Sequence, residues 1–181
     1  MDFLVDVLVT VVGLGVFGQH IWALRGHFAS DRMTGGARLI SAGALASCLT
    51  MLVLLWTMDQ PLAAQLTGIV LMAGSLTLFW TAVQASNAAR LRFAFDDALP
   101  KSLVTMGPYR RIRHPFYASY LIFWFGWAVA TWSPWALLPV IVMATLYTIA
   151  ARHEEALLGG SEMGQAYAQY RTQAGLFWPK I

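Results

Sequence analysis

Apolar residues run along this chain in long blocks, and the polar positions between them mark where each block ends. No Asp, Glu, Lys or Arg occurs in the stretches 7–24, 39–58, 60–89 and 114–151. About 20 apolar residues cross a bilayer as a helix, so the first three blocks each suit one crossing. The last block is too long for one. Ser133-Pro134 near its middle carries a turn and helix-start signal, a proline after a short polar residue. The pattern predicts five transmembrane helices, near 3–24, 37–57, 61–86, 115–132 and 135–152. Unbroken apolar runs of this length do not suit barrel strands, whose lumen-facing positions alternate with lipid-facing ones. The expected fold class is therefore all-α: a polytopic membrane protein with about five transmembrane helices and a C-terminal interfacial helix. That last helix is expected near 161–173 and over the site. Leu157, Leu158, Met163, Tyr167 and Tyr170 give this tail an amphipathic reading, and Tyr167 and Tyr170 share one face.

Composition sharpens the class. The 181 residues are 58% hydrophobic and 12% charged, where a soluble domain carries about 25% charged residues. So few charges cannot cover the outside of a soluble fold. Their placement adds an orientation. Arg25, Arg32 and Arg38 lie in the first connection. Arg90, Arg92, Lys101, Arg110, Arg111 and Arg113 lie in the third, and Arg152, Arg171 and Lys180 in the tail. Five helices put all three regions on one side, which the positive-inside rule makes cytoplasmic; four or six would split them. Asp2, Asp6 and Asp59 fall on the other side. The expected location is a bacterial or archaeal cell membrane, with the N-terminus outside and the C-terminus and active site cytoplasmic. Asp2 and Asp6 stand where a signal peptide would be basic, which argues against cleavage. The net charge of +3 reads as a topology signal that also helps hold anionic headgroups. Nucleic acid is not an expected partner, because the basic residues interleave with spans. Cys48 reads as a small packing residue, and Gly13, Gly15 and Gly18 as sites of close helix packing.

The remaining charges gather in two segments, 87–113 and 152–181, and these carry the candidate chemistry. Gly107-Pro108 marks a turn, and Pro115 suits the first turn of the fourth helix, where a missing N–H costs nothing. Arg113 and His114 then sit at the helix mouth, with Tyr117 in the first turn. Exposed N–H groups and the helix dipole favour an anion there, and Arg113 can add a bidentate clamp. If the fourth and fifth helices form an antiparallel hairpin, the start of one lies beside the end of the other, where Arg152-His153-Glu154-Glu155 stands. A cationic mouth then faces an acidic pair, and the two together suit a zwitterion. The competing readings are interfacial anchoring for the arginines and aromatics, and a solvated helix surface for the glutamates. The organisation expected is a three-helix membrane region, 1–86, and a catalytic region, 87–181, made of loop, hairpin and amphipathic tail.

Taken in order, Gly107-Pro108-Tyr109-Arg110, Arg113-His114-Pro115-x-Tyr117 and a hydrophobic span ending in Glu154-Glu155 resemble the isoprenylcysteine carboxyl methyltransferase and phospholipid methyltransferase superfamily. Tyr167-x-x-Tyr170 and Trp178-Pro179 also resemble its tail, so the likeness covers roughly 100–181. It implies an integral membrane methyltransferase that uses S-adenosylmethionine. It also implies cofactor-binding roles for Gly107, Tyr109, Arg113, His114, Tyr117, Glu154 and Glu155. Arg110, His114 and Glu155 are the candidate catalytic residues. Arg110 would steer an anionic acceptor headgroup, and His114 would orient the cofactor or act as base toward a thiol or amine. No metal is implied. The acceptor is expected to be lipophilic and to enter from the bilayer. Ala118-Ser119 stands where relatives often have glycine, so a membrane lipid, an isoprenoid-type thioether carboxylate or another small amphiphile all stay open. Two other readings are a sterol-type reductase using NADPH, whose C-terminal half resembles this superfamily, and a non-enzymatic haem or scaffold protein using His20 and His27, seven residues apart.

Overall fold

The computed structural model describes residues 3–26, 33–89, 95–97, 99–100 and 102–180, with positions 23–26 and 88 as backbone only. Among the described residues six helices follow one another: α1 (Phe3–Gly26), α2 (Gly35–Thr57), α3 (Leu62–Ser86), α4 (Pro115–Thr131), α5 (Leu137–Gly159) and α6 (Gly164–Gln173). Short 3-10 turns occupy Asn87–Ala89, Gly107–Arg110 and Pro134–Ala136. No strand occurs among the described residues. The sequence-based reading of Asp2, His27, Arg32, Arg90, Arg92 and Lys101 falls outside them.

Among the described residues four segments are each long and apolar enough to cross a membrane: Phe3–Trp22, Gly35–Thr57, Leu62–Ser86 and Pro134–Gly159. The chain is an all-α integral membrane protein. The fifth expected span, α4, is different. Its 17 residues reach about 25 Å at ~1.5 Å per residue, short of the ~30 Å hydrocarbon core. Twelve of those residues are buried, so α4 runs through the middle of the bundle with α1, α2, α3 and α5 around it. Local chemistry sets the ends of the helices. Thr34 caps α2 by accepting a hydrogen bond from the Ala37 N–H at 3.0 Å. Pro115 opens α4, and Trp132 closes it in the left-handed region at φ 47°. The turn at 132–136 then reverses the chain into α5, as the Ser133-Pro134 signal predicts. At its far end α5 runs on past residue 152 to Gly159. The charges that end the apolar run do not end the helix, because Arg152 Nη1 pairs with Glu155 Oε2 three residues on, at 3.1 Å.

The core lies where α3 and α4 cross. Phe79 and Met72 of α3 meet Phe123, Trp124 and Trp127 of α4, all fully or almost fully buried. The close approach depends on Gly68 and Gly126. A Cβ on Gly68 would sit 2.5 Å from the Gly126 carbonyl oxygen, and one on Gly126 2.8 Å from the Leu71 Cβ. Of Gly13, Gly15 and Gly18, a Cβ would meet a neighbour at Gly13 alone, the Trp127 ring at 3.0 Å, while Gly15 and Gly18 have nothing within 4 Å. Close packing at those two is therefore not what the fold uses. Asp6, counted with the outer charges in the sequence, is fully buried at the α1–α3 contact. There Gln65 Nε2 donates to its Oδ1 at 2.6 Å and offsets part of the cost of burying a carboxylate.

Candidate functional site

Antiparallel packing of α4 and α5 brings the two halves of the candidate site together. Tyr117 lies opposite Glu154, and about two turns on Trp124 Nε1 donates to Tyr147 Oη at 3.2 Å, so a single register runs down the pair. The C-terminal tail locks the mouth of α4. Gly175 N–H donates to the Arg111 carbonyl at 2.9 Å, and Gly175 and Leu176 carbonyls accept from the backbone N–H groups of Arg113 at 2.8 Å and His114 at 3.1 Å. Tyr170 Oη adds a bond to the Tyr109 carbonyl at 2.6 Å. Gly107 makes the preceding turn possible. Its φ is +57°, and a Cβ there would press on Ala85 Cβ of α3 at 3.0 Å.

The charged groups are interlocked. Glu155, only 5% exposed, accepts from Arg113 Nε at 2.7 Å, from Tyr167 Oη at 2.9 Å and from Arg152 Nη1 at 3.1 Å. Arg113 Nη1 also donates to the Ala174 carbonyl. So Arg113 does not face an acidic pair across a gap: it ties the start of α4 to the end of α5 and to the tail. A guanidinium this buried needs such partners, because an unpaired charge out of water is costly. The His114 ring lies between both glutamates, with Nδ1 3.4 Å from Glu154 Oε2 and Nε2 3.6 Å from Glu155 Oε1. Burial opposes its protonation, but contacts with Glu154 and Glu155 and their charges outweigh burial and hold its pKa above the usual imidazole value. Glu154 is the more open carboxylate, 30% exposed, and accepts from Tyr117 Oη at 2.5 Å. Burial, reinforced by the Glu155 charge, pushes the Tyr167 phenol up, so it remains a neutral donor.

This cluster forms the polar end of a cavity of about 620 Å³. Arg113, His114, Tyr117 and Glu154 line that end, with Tyr109, Tyr167 and Tyr170 around them. The cavity continues between the helices as an apolar passage past Tyr120, Trp124 and Tyr147 to Phe17, Ile21, Ala44 and Leu45 of α1 and α2. Ile21 and Leu45 on this part of the lining are exposed residues, so the cavity is open there and not sealed.

The fold thus gathers Tyr109, Arg113, His114, Tyr117 and Glu154 on one cavity, with Glu155 directly behind them. Gly107 shapes the turn but does not line the cavity. Arg110 stands apart, exposed on a separate shallow cleft with Gly107, Pro108, Arg111, Ile112 and Pro179. Three features were not read from the sequence. Tyr120 and Tyr147 line the passage, yet in sequence they are aromatics within apolar spans and look like core. The pairing of Ile112 with Gly175 has no local signal, since it joins segments more than 60 residues apart.

Apolar helices around a cavity with an ionisable mouth define an integral membrane protein whose cavity is polar at one end and apolar at the other. The model of the phospholipid methyltransferase family matches residues 63–161, from α3 to just beyond α5. This is more than half of the chain, which belongs to that family and is a membrane methyltransferase. The match takes in Arg113, His114, Tyr117, Glu154 and Glu155, and stops before Tyr167 and the tail. No curated protein matches the chain.

Proposed function

We propose that the protein transfers a methyl group from S-adenosylmethionine to a lipophilic acceptor at the cytoplasmic face of the membrane. The observation that carries this reading is the single cavity with an ionisable end and an apolar end. Arg113, His114, Tyr117 and Glu154 line the first, and the passage between α1, α2, α4 and α5 forms the second. The residues fit the donor. Its amino acid part is a zwitterion, for which Glu154 offers a half-open carboxylate and the α4 N-terminus a favourable dipole. His114, held between the two glutamates, lines the same end of the cavity. When bound, the donor supplies an electrophilic methyl on a positively charged sulfur, so the protein needs no covalent nucleophile.

The chain's own residues then position and desolvate the reactants. Arg113 and Glu155 fix the mouth, and Tyr109, Tyr167 and Tyr170 cover it. Tyr117 and His114 set the Glu154 carboxylate. The apolar passage admits the acceptor from the bilayer, and Arg110 and Arg111, exposed beside the mouth, meet anionic headgroups. Arg38, Arg110, Arg111, Arg152 and Arg171 lie at the cavity end of the helices and Asp59 at the other, which supports a cytoplasmic site and an outside N-terminus.

The test is equilibrium binding of labelled S-adenosylmethionine to the protein in lipid nanodiscs, followed by transfer of label into a membrane lipid extract. Binding and transfer are expected, with both reduced at least tenfold by Glu154→Gln and by His114→Ala. NADPH binding in place of S-adenosylmethionine binding would replace this reading with the reductase.

A further inference from the structure

A second cleft, of about 450 Å³, lies apart from the cavity and shares no lining residue with it. Gly107, Pro108, Arg110, Arg111 and Ile112 line it from the turn before α4, and Pro179 lines it from the tail. Both arginines are exposed, and among the described residues neither has a carboxylate partner. Arg113 and Arg152, by contrast, both pair with Glu155. The cleft sits at the end of a membrane span. A Cβ on Gly107 would meet Ala85, in the last turn of Leu62–Ser86, at 3.0 Å, and lipid headgroups lie at that level. Met106 and Trp178, both exposed, directly precede Gly107 and Pro179. Large apolar side chains beside charged ones suit the boundary between headgroups and acyl chains.

The lining selects the ligand. Two adjacent guanidinium groups without a counter-charge favour a phosphate, whose oxygens accept their paired N–H donors. Pro108, Ile112 and Pro179 add apolar surface. An inorganic ion would leave that surface bare, and the glycerol and first methylenes of a lipid would cover it. The tail gives the occupant a task. Gly175 N–H bonds to the Arg111 carbonyl, and the Arg113 and His114 N–H groups bond to the Gly175 and Leu176 carbonyls. These bonds hold the tail at the mouth of α4. A molecule seated on Arg110, Arg111 and Pro179 joins the same two segments. Because it binds only where they are together, it stabilises that arrangement.

We propose that this cleft holds one anionic phospholipid of the surrounding leaflet, with its phosphate on Arg110 and Arg111. The lipid is a resident clamp that keeps the tail on the mouth, and it is not the methyl acceptor. This deepens the reading of Arg110 and Arg111 under the proposed function, but its test needs no methyl donor. Protein in dodecyl maltoside micelles is titrated with dioleoylphosphatidylglycerol or with dioleoylphosphatidylcholine, whose choline cancels the phosphate charge. Bound lipid is counted by native mass spectrometry, and amide exchange is followed at Arg113 and His114. The wild type is expected to hold one phosphatidylglycerol about tenfold or more tighter than phosphatidylcholine. Exchange at both amides should then slow about threefold or more. Arg110→Gln with Arg111→Gln should remove both effects. Arg38→Gln with Arg171→Gln takes the same charge from exposed positions elsewhere at that end and should keep both. Equal retention of the two lipids by the wild type overturns the proposal. So does an equal loss in the two double variants, which would show a general surface potential. Glycerol 3-phosphate competing at the concentration at which phosphatidylglycerol binds would assign the cleft to a soluble phosphate instead. Lipid binding with unchanged exchange would remove the clamp. A phosphatidylglycerol site that slows exchange, in a protein that fails to bind S-adenosylmethionine, supports the clamp while removing the donor reading.

Discussion

Removing Glu155 takes away the acceptor at the centre of the site. Glu155→Ala strips Arg113 Nε of its partner at 2.7 Å and Tyr167 Oη of its partner at 2.9 Å. The Arg113 side chain is only 9% exposed, so water cannot take over, and breaking a buried pair from one side costs about 3–5 kcal/mol. The third partner, Arg152, is 58% exposed and contributes at most about 1 kcal/mol. Arg113→Met in turn takes the nearest cation from the Glu155 carboxylate, leaving it Tyr167 and the exposed Arg152, and frees the Ala174 carbonyl. The double variant Arg113→Met with Glu155→Leu removes both charges and fills the space with apolar atoms, which for buried pairs is often close to neutral. Its loss should be about 1–2 kcal/mol, from the Ala174 and Tyr167 bonds. Each single variant is therefore expected to be less stable than the double, with a coupling of at least about 4 kcal/mol. The assay is reversible unfolding in mixed micelles, followed by tryptophan fluorescence, across the four proteins of the cycle. If the single losses add to the double within about 0.5 kcal/mol, the pair does not hold the mouth together and the argument fails. Under the proposed function the double variant regains stability without regaining donor binding.

Three further outcomes follow from the same geometry. His114 has its pKa raised in the folded state by Glu154 and Glu155 against the opposing effect of burial. Its stabilisation should be fully present below the ordinary value of 6.5 and fade as pH rises through the higher folded value. Comparing unfolding of wild type and His114→Gln from pH 6 to pH 9 should show the slope only in the wild type, and equal slopes would show that His114 is not the group responsible. Gly107→Ala places a side chain at φ +57° and against Ala85, and should lower stability by about 1–2 kcal/mol; an unchanged midpoint would mean the turn relaxes. Tyr170→Phe deletes the bond to the Tyr109 carbonyl and should cost about 1–3 kcal/mol. It should also speed amide exchange at Arg113 and His114, whose N–H groups bond to the tail, and unaltered exchange there would mean the tail holds without it.

By itself the sequence determined the helices and the ends of most of them. Charge is so expensive in a bilayer that its absence over 7–24, 39–58 and 60–89 marks spans directly, and Ser133-Pro134 marks the hairpin. The hairpin in turn dictates that Arg113-His114 meets Glu154-Glu155, because antiparallel helices joined by a short turn have no other way to pack. What the tertiary structure decided is how these groups share their charges. Arg113 closes onto Glu155 and Ala174, leaving Glu154 as the carboxylate that faces the cavity. This depends on distances of a few tenths of an ångström and on a tail that returns from more than 60 residues away. The same is true of Asp6 with Gln65 and of His20 Nε2 and Tyr120 Oη, which are buried without a hydrogen bond. Which polar atom in an apolar span finds a partner, and which is left without one, is set by rotation and crossing of helices, and in sequence both kinds look alike.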